Sequence, residues 1–287
     1  MDKVAIVTDS MADIPSSMLN KNNVFVLPGY IHFGTETYLD GADLAPVEFY
    51  SKLARAKQLP TTSQPTVNDF LDLYRQLTED FDAIVSVHIS TDLSGTFSSA
   101  MTARKQMDTP FPISIVDTRS VSMGQGFSVL AAARAAESGL PALRVDQAAR
   151  AVAENMNVLF VVDTLEYLRK GGRIGGASAM AGSLLKIKPI LQVSNGRIEA
   201  LARARTHRKA IIQVLDQIEE RTPSDDPLHV AVIHAVMEEP AHALADQIQQ
   251  RFDCAECHVA DIGSVVGVHV GPGTLGVSFY QTSHSME

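Results

Sequence analysis

Four short stretches of this chain carry groups suited to holding an anion. Thr61-Thr62-Ser63 places three hydroxyls on a loop ahead of Thr66, which with Asp69 has the spacing of a helix capping box. Ser94-Gly95-Thr96 places hydroxyls and a glycine between an apolar run and a helical one, where backbone N–H groups face outward. Lys170-Gly171-Gly172-Arg173 joins cations to paired glycines, which admit positive φ or the close approach of a ligand. Arg173 there offers a planar fork matched to carboxylate or phosphate. His269, with glycines close behind it, is a further donor to an anion at the end of an element. Each has an ordinary alternative. Hydroxyls cap helices, glycine with Lys and Arg terminates a helix ending at Leu168, and a histidine on an apolar segment is commonly a satisfied core residue. Asp9 and Ser10 end an apolar run, so they are site material or caps of a helix near Pro15 in equal measure.

Other motifs lose on context. Gly271-Pro272-Gly273-Thr274-Leu275-Gly276 has the dinucleotide pattern. Residues 277–287 give no room for a helix, a second strand and an acid about twenty positions on. Cys254-Ala255-Glu256-Cys257-His258 has the haem-attachment pattern, but nothing at the N-terminus reads as an export signal. A thioredoxin-type pair would open a helix, and a zinc site would need partner cysteines, so two incidental cysteines is the preferred reading. There is no G-x-S-x-G nucleophile elbow and no other catalytic set. His88, His234 and His269 all fall on strand-like segments.

The chain has 287 residues, 45% hydrophobic and 20% charged, with a formal charge of −9. That is the composition of a globular protein of one large or two ordinary domains. An acidic surface disfavours nucleic acid and anionic membrane as partners. No apolar run has the length of a membrane span, and two cysteines do not make a disulfide framework, so a cytoplasmic protein is expected.

The elements that position these stretches follow from periodicity. Residues 3–7, 81–89 and 113–116 are apolar strands ending in polar turns at Asp9, Ser90 and Asp117. Residues 24–27 and 30–33 are further strands. Helices are expected at 44–56, from Thr66 through Leu77, and from Gly124 to Ser138 with Gly139 as cap. Repeated alternation of strand and helix argues for a mainly parallel sheet. Residues 145–156 are helical in spacing and 157–162 strand-like. Lys186 and Lys188 alternate with Ile187 and Ile190 as in a half-buried strand, with Pro189 marking an edge or a strand end. Asn195-Gly196 is a hairpin turn. Arg203, Arg205, His207, Arg208 and Lys209 form a local basic cluster, best read as a solvated helix start. Helices at 209–221 and 241–252 and strands at 228–236, 258–262, 265–270 and 277–280 complete an α+β pattern. The expected division is an N-terminal α/β domain over residues 1–160 and a C-terminal α/β domain over 161–287.

Six stretches, in order across nearly the whole chain, resemble the DegV family of bacterial proteins, which includes the fatty-acid-binding FakB subunits. They are VTDSMADIP from residue 7, TTSQPT from 61, ISTDLSGTFSSA from 89, VDTRSVSMGQG from 116, LRKGGRIGGASAMAGSLLKIKPIL from 168 and HVGPGTLG from 269. The resemblance implies two α/β domains with a long-chain fatty acid between them, its tail in an apolar tunnel. Carried onto this chain, it implies a carboxylate held by Thr62, Ser94, the Gly95 amide and His269, with Arg173 nearby. It also implies a binding subunit without chemistry of its own, needing no cofactor. A separate fatty acid kinase would phosphorylate the bound acid to an acyl phosphate that feeds phospholipid synthesis. Two positions depart from the family: Gly175 where serine is frequent, and Thr91 where a second serine is common.

The residues by themselves leave two other functions open. One is an enzyme on a small anionic or phosphorylated substrate, with Arg173, Lys170 and the LSGT loop as cradle. It expects a polar pocket. The other is a DNA-associated regulator, which the negative charge and the lack of a helix-turn-helix pattern disfavour.

Overall fold

The computed structural model describes residues 2–19, 23–180, 187–222 and 224–281. Its strands are β1 (Val4–Asp9), β2 (Val24–Leu27), β3 (Tyr30–Phe33), β4 (Glu36–Leu39), β5 (Thr61–Ser63), β6 (Ala83–His88), β7 (Ile113–Asp117), β8 (Asn157–Val161), β9 (Lys188–Ser194), β10 (Arg197–Ala204), β11 (Leu228–His234), β12 (Cys254–Asp261) and β13 (Leu275–Gln281). Its helices are α1 (Ser16–Leu19), α2 (Pro46–Arg55), α3 (Val67–Leu77), α4 (Thr96–Gln106), α5 (Met123–Glu137), α6 (Ala142–Asn155), α7 (Glu166–Lys170), α8 (His207–Arg221), α9 (Glu238–Arg251) and α10 (Ser264–Val270). No helix among the described residues is long and apolar enough to cross a membrane.

The first sheet is parallel throughout, in the order β2-β1-β6-β7. Every residue of β1 and β6 is buried, because helices cover both faces. The chain leaves β1 for β2 on one side and later for β6 on the other. The crevice between the carboxyl ends of β1 and β6 is therefore a switch point, where open α/β sheets take ligands. The second sheet has six strands in the order β10-β9-β8-β13-β11-β12 and is mixed. One face packs on α8 and α9, with Leu159, Val161, Val230, Val232 and Val277 meeting Val214, Ile218, Leu244 and Ile248. The opposite face carries Val158, Phe160, Leu191 and Ile233 toward the first sheet and α5. A third, small antiparallel sheet, β4-β3-β5, lies beside them.

The α/β architecture expected from alternation is present, with three differences. Residues 265–270 are helical, not a strand: α10 runs over Ser-Val-Val-Gly-Val-His-Val. Thr61–Ser63 is a strand rather than a loop, because β3 supplies its pairing partners Tyr30, Ile31 and His32. Pro189 marks a strand end, as one of its two expected readings has it: it is the second residue of β9, which lies between β8 and β10. Strand β8 belongs whole to the second sheet, so a division near residue 160 would cut it. Lys186 of the expected lysine-isoleucine strand, and Leu184 and Leu185 before it, lie outside the described residues. Asn195 and Gly196, at φ of 50° and 80°, form the hairpin turn between β9 and β10.

The tip of that hairpin rests on the first sheet. Ser90 Oγ donates to Gly196 O at 2.7 Å, Arg119 donates to Asn195 O, and Arg197 pairs with Asp92 at 2.8 Å. On the far side, Tyr50 of α2 donates its hydroxyl to Ile262 O at 3.0 Å. These ties close a cleft between the carboxyl ends of β1 and β6 and the inner face of the second sheet.

Candidate ligand site

The cleft holds a cavity with about 810 Å³ of space free of protein atoms, the open solvent at its mouth included. Its walls are aliphatic. Met11 follows β1, Ile89 and Leu93 follow β6, and Val121 precedes α5. Val158, Phe160, Ile198 and Ile233 come from the second sheet, and Ile262, Val265, Val266 and Val270 from β12's exit and α10. Thr62, Ser63, Gln64, Ser94, Arg173 and His269 supply most of the polar groups, and Ser122 and Thr274 the rest. Such a site suits an apolar body with one anionic end. It does not match the polar pocket expected of an enzyme acting on a small anion.

Four of the five residues singled out in the sequence line this one cavity. Thr62 stands on β5, with Oγ1 2.9 Å from His269 Nε2 on the last turn of α10. Ser94 lies in the β6–α4 loop, its Oγ 2.8 Å from Thr96 Oγ1. Arg173 follows α7; its Nε donates to Leu93 O at 3.1 Å and its Nη1 to Gly171 O at 2.7 Å. A guanidinium has five N–H donors, so those two carbonyls fix its plane and leave donors for an anion. Gly95 stands behind the others, as N-cap of α4. A Cβ on it would lie 2.9 Å from Gln64 Nε2, so glycine lets the Gln64 side chain into the site. Gln64 and Ser122 also line the cavity and were not singled out. The signal for Gln64 was its place inside TTSQPT. Ser122 has the matching signal, its place inside VDTRSVSMGQG, although its contacts with Met11 and Asp13 come from a distant segment.

His269 is held in place from two sides. A Cβ on Gly171 would fall 2.2 Å from its Nδ1, so the KGGR turn approaches only because that residue is glycine. Its Nδ1 is buried and has no hydrogen-bond partner. Burial first, then the charge of Arg173, pushes the His269 pKa down to about 4. The ring is therefore neutral at neutral pH. In the tautomer that serves an anion, Nε2–H donates to Thr62 Oγ1 and frees the threonine hydroxyl to donate onward. Because the folded pKa lies below the unfolded value near 6.5, the native state binds fewer protons in that window. Stability should accordingly fall as pH drops from about 6.5 to about 4. Urea unfolding across that range is expected to show the fall, and His269→Gln to flatten it.

Two other arrangements are set aside by geometry. Asp9 Oδ2 lies 2.8 Å from His88 Nδ1, and His88 Nε2 lies 2.7 Å from Ser86 Oγ, which is the connectivity of a nucleophilic triad. All three are fully buried, and Ser86 Oγ is also bound to Tyr74 at 2.8 Å beneath α3. No substrate reaches that serine. Lys170 pairs with Glu166 at 2.6 Å on the surface and is not in the cavity wall. Cys254 and Cys257 are free, and burial pushes the Cys257 thiol up to about 11, so it stays protonated at neutral pH. No cluster of His, Cys, Asp or Glu among the described residues suits a metal ion. Both departures from the family pattern have local accounts. Gly175 has φ 51°, and a Cβ there would lie 2.2 Å from Ile198 O, so a serine requires a different backbone path. Thr91 is exposed and donates to Asp117 at 2.8 Å, away from the cavity.

Comparison with known proteins accords with this geometry. The model of the DegV family, described as an uncharacterised protein family, matches residues 3–282. A DegV domain-containing protein of Streptomyces coelicolor is 39% identical over 276 residues, covering 96% of this chain and 97% of the relative. Among solved structures, a fatty-acid-binding DegV family protein from Thermus thermophilus superposes with a TM-score of 0.93 at 34% identity, over 98% of this chain and 100% of that one. DegV of Bacillus subtilis, described as a fatty acid binding protein, gives a TM-score of 0.90 at 33% identity, with coverage of 98% and 100%.

Proposed function

We infer that this chain, which belongs to the DegV family, binds a long-chain fatty acid and presents it to a separate kinase. The observation that carries the reading is one aliphatic cavity closed by one polar cluster. The acyl chain lies along Ile89, Phe160, Ile233, Val265 and Val266. The carboxylate meets the hydroxyls of Thr62 and Ser94, with the neutral His269 ring orienting Thr62. An unpaired carboxylate is costly to bury, so several converging donors are what this ligand requires. Similar proteins whose structures are described as fatty acid binding support the ligand class.

Presentation to a kinase rests on Arg173. Its guanidinium is fixed by two backbone carbonyls and keeps N–H donors for the charge that a carboxylate gains on becoming an acyl phosphate. Arg173→Ala should therefore lower acyl-phosphate formation with the kinase by about tenfold or more while weakening fatty-acid binding less. Equal losses in both assays would refute that division. For the ligand class, the purified protein is extracted under denaturing conditions and the extract analysed by mass spectrometry. A stoichiometric fatty acid supports the reading. An empty extract from protein that also takes up no added fatty acid overturns it.

A further inference from the structure

The motif Asp9-Ser10-Met11-Ala12-Asp13 has no part in the carboxylate site, yet it reaches the cavity by another route. Asp13 follows β1 in the left-handed region, at φ 50°. Its Oδ1 accepts the Gly263 N–H at 2.9 Å, and its Oδ2 lies 2.5 Å from Ser122 Oγ. Asp40, which follows β4 and is buried, accepts the next amide, that of Ser264, at 3.1 Å. Gly263 and Ser264 start α10, and that helix carries Val265, Val266, His269 and Val270 into the cavity. Ser122 lines the same cavity. Two carboxyl groups thus fix where one whole wall of the site begins.

The charge around them is one-sided. Asp9 is on the same segment, with His88 2.8 Å from it on the side away from the cleft wall, Asp40 comes from the end of β4, and Asp261 comes from the end of β12, where it lies 3.5 Å from His234. Tyr50 of α2 turns its hydroxyl to Ile262 O and feels the charge of Asp13, Asp40 and Asp261. The cleft beside Asp13 is lined by no Lys, Arg or His among the described residues. Gly263 needs an acceptor on Oδ1, so a proton on Asp13 belongs on Oδ2, facing Ser122.

Resting on the fatty-acid reading, we propose that Asp13 is a positioning residue for the ligand, acting as a neutral carboxyl that joins α10 to Ser122 while Asp40 holds the adjacent amide as the ionised partner. Burial, and then the nearby carboxylates, raise the Asp13 pKa well above the ordinary value, in line with that role. Asp40 is also raised by burial, but amides of Ser264 and Val265 favour its charged form. A protonated Asp13 donates to Ser122 Oγ, which leaves the serine proton free. An ionised Asp13 instead accepts from both Ser122 and Gly263, but stands beside Asp40 with no cation among the described residues of the cleft wall to offset its charge. A ligand that fills the cavity removes more water from beside Asp13 and favours its neutral form further, so affinity falls as pH rises.

The test measures the affinity of stearic acid for the full chain, as wild type, Asp13→Asn and Asp13→Ala, from about pH 6 to 9, the whole range over which His269 is neutral. Thermal melts of each variant run alongside. Asparagine reproduces the neutral acid, since its oxygen accepts from Gly263 and its amide donates to Ser122. The wild type is expected to weaken with rising pH, by up to about tenfold per pH unit. Asp13→Asn should bind with wild-type strength at the low end and show no such slope. Asp13→Ala should bind at least about tenfold more weakly at every pH. Superimposed profiles for all three overturn the positioning role while leaving the fatty-acid reading in place. An asparagine variant that fails to fold, or binds as poorly as the alanine variant, overturns the neutral-carboxyl assignment. A wild type that binds no stearic acid at any pH overturns both.

Discussion

Replacing Thr62 and Ser94 together by alanine should lower the affinity for a long-chain fatty acid by about a hundredfold or more. A hydrogen bond to a charged group contributes about 1.5–3 kcal/mol, and tenfold in affinity is about 1.4 kcal/mol. The two losses fall on one carboxylate and will not simply add. Losing Thr62 also strips His269 Nε2 of its partner, which leaves both ring nitrogens of a mostly buried imidazole unpaired. The fold should tolerate the change. Both side chains are only half-buried, and the Ser94 bonds are local ones to Thr96. Equilibrium binding of a labelled fatty acid, with melting temperature as control, checks this. A folded double variant of undiminished affinity would remove these hydroxyls from the site.

Glu256→Ala should cost about 1–3 kcal/mol of stability, the range for removing a charged group's hydrogen bonds at a partly exposed site. Glu256 lies on β12 with 14% of its side chain exposed, and it serves three partners at once. Arg134 of α5 donates at 3.0 and 2.6 Å, His229 Nδ1 lies at 2.7 Å and His258 Nε2 at 3.0 Å. Burial works to raise the Glu256 pKa. The hydrogen bonds from His229, His258 and Arg134 overcome it and hold the carboxyl far below the ordinary range. A carboxyl depressed in this way contributes stability that is complete above its unfolded pKa, about 4.3. The contribution is lost as pH falls below that value. Glu256→Ala should therefore be destabilised at neutral pH and show a shallower decline on acidification than the wild type. Urea unfolding at neutral and acid pH reads both quantities. Parallel acid declines would mean that the ring of partners does not depress this carboxyl.

The carboxyl side of the site was legible because its residue types are unusual where they stand. Hydroxyls just before helix starts, and a guanidinium beside two glycines, announce themselves without tertiary information. Their convergence on one cavity was an expectation from the family resemblance, since nothing local relates residue 62 to residue 269. The helix that carries His269 was misread because Val265, Val266, Val268 and Val270 prefer strands. Tertiary contacts decide otherwise: Asp13 and Asp40 take its first amides, and Gly267 lets Tyr50 approach to 2.6 Å of a would-be Cβ. Strand β4 was missed because its pattern, Glu-Thr-Tyr-Leu, is half exposed and too short to show a period. Strand β5 reads as a loop in sequence because its hydroxyls stand just before a helix start. Its pairing with β3 spans some thirty residues, a separation that no short window reveals.

The position of β13 sets an order of events during synthesis. The last described strand lies in the middle of the second sheet, between β8 and β11, and pairs with both. The parallel sheet of β1, β2, β6 and β7 has all its strands once residue 117 has emerged, and domains tend to fold as they leave the ribosome. The six-stranded sheet cannot close until Leu275–Gln281 is free, so β8 and β11 wait with unpaired edges facing each other. A nascent chain stalled shortly before residue 275 would then expose the whole apolar seam meant for Val277 and Phe279. It would be a client for chaperones or for aggregation until the final strand slots in.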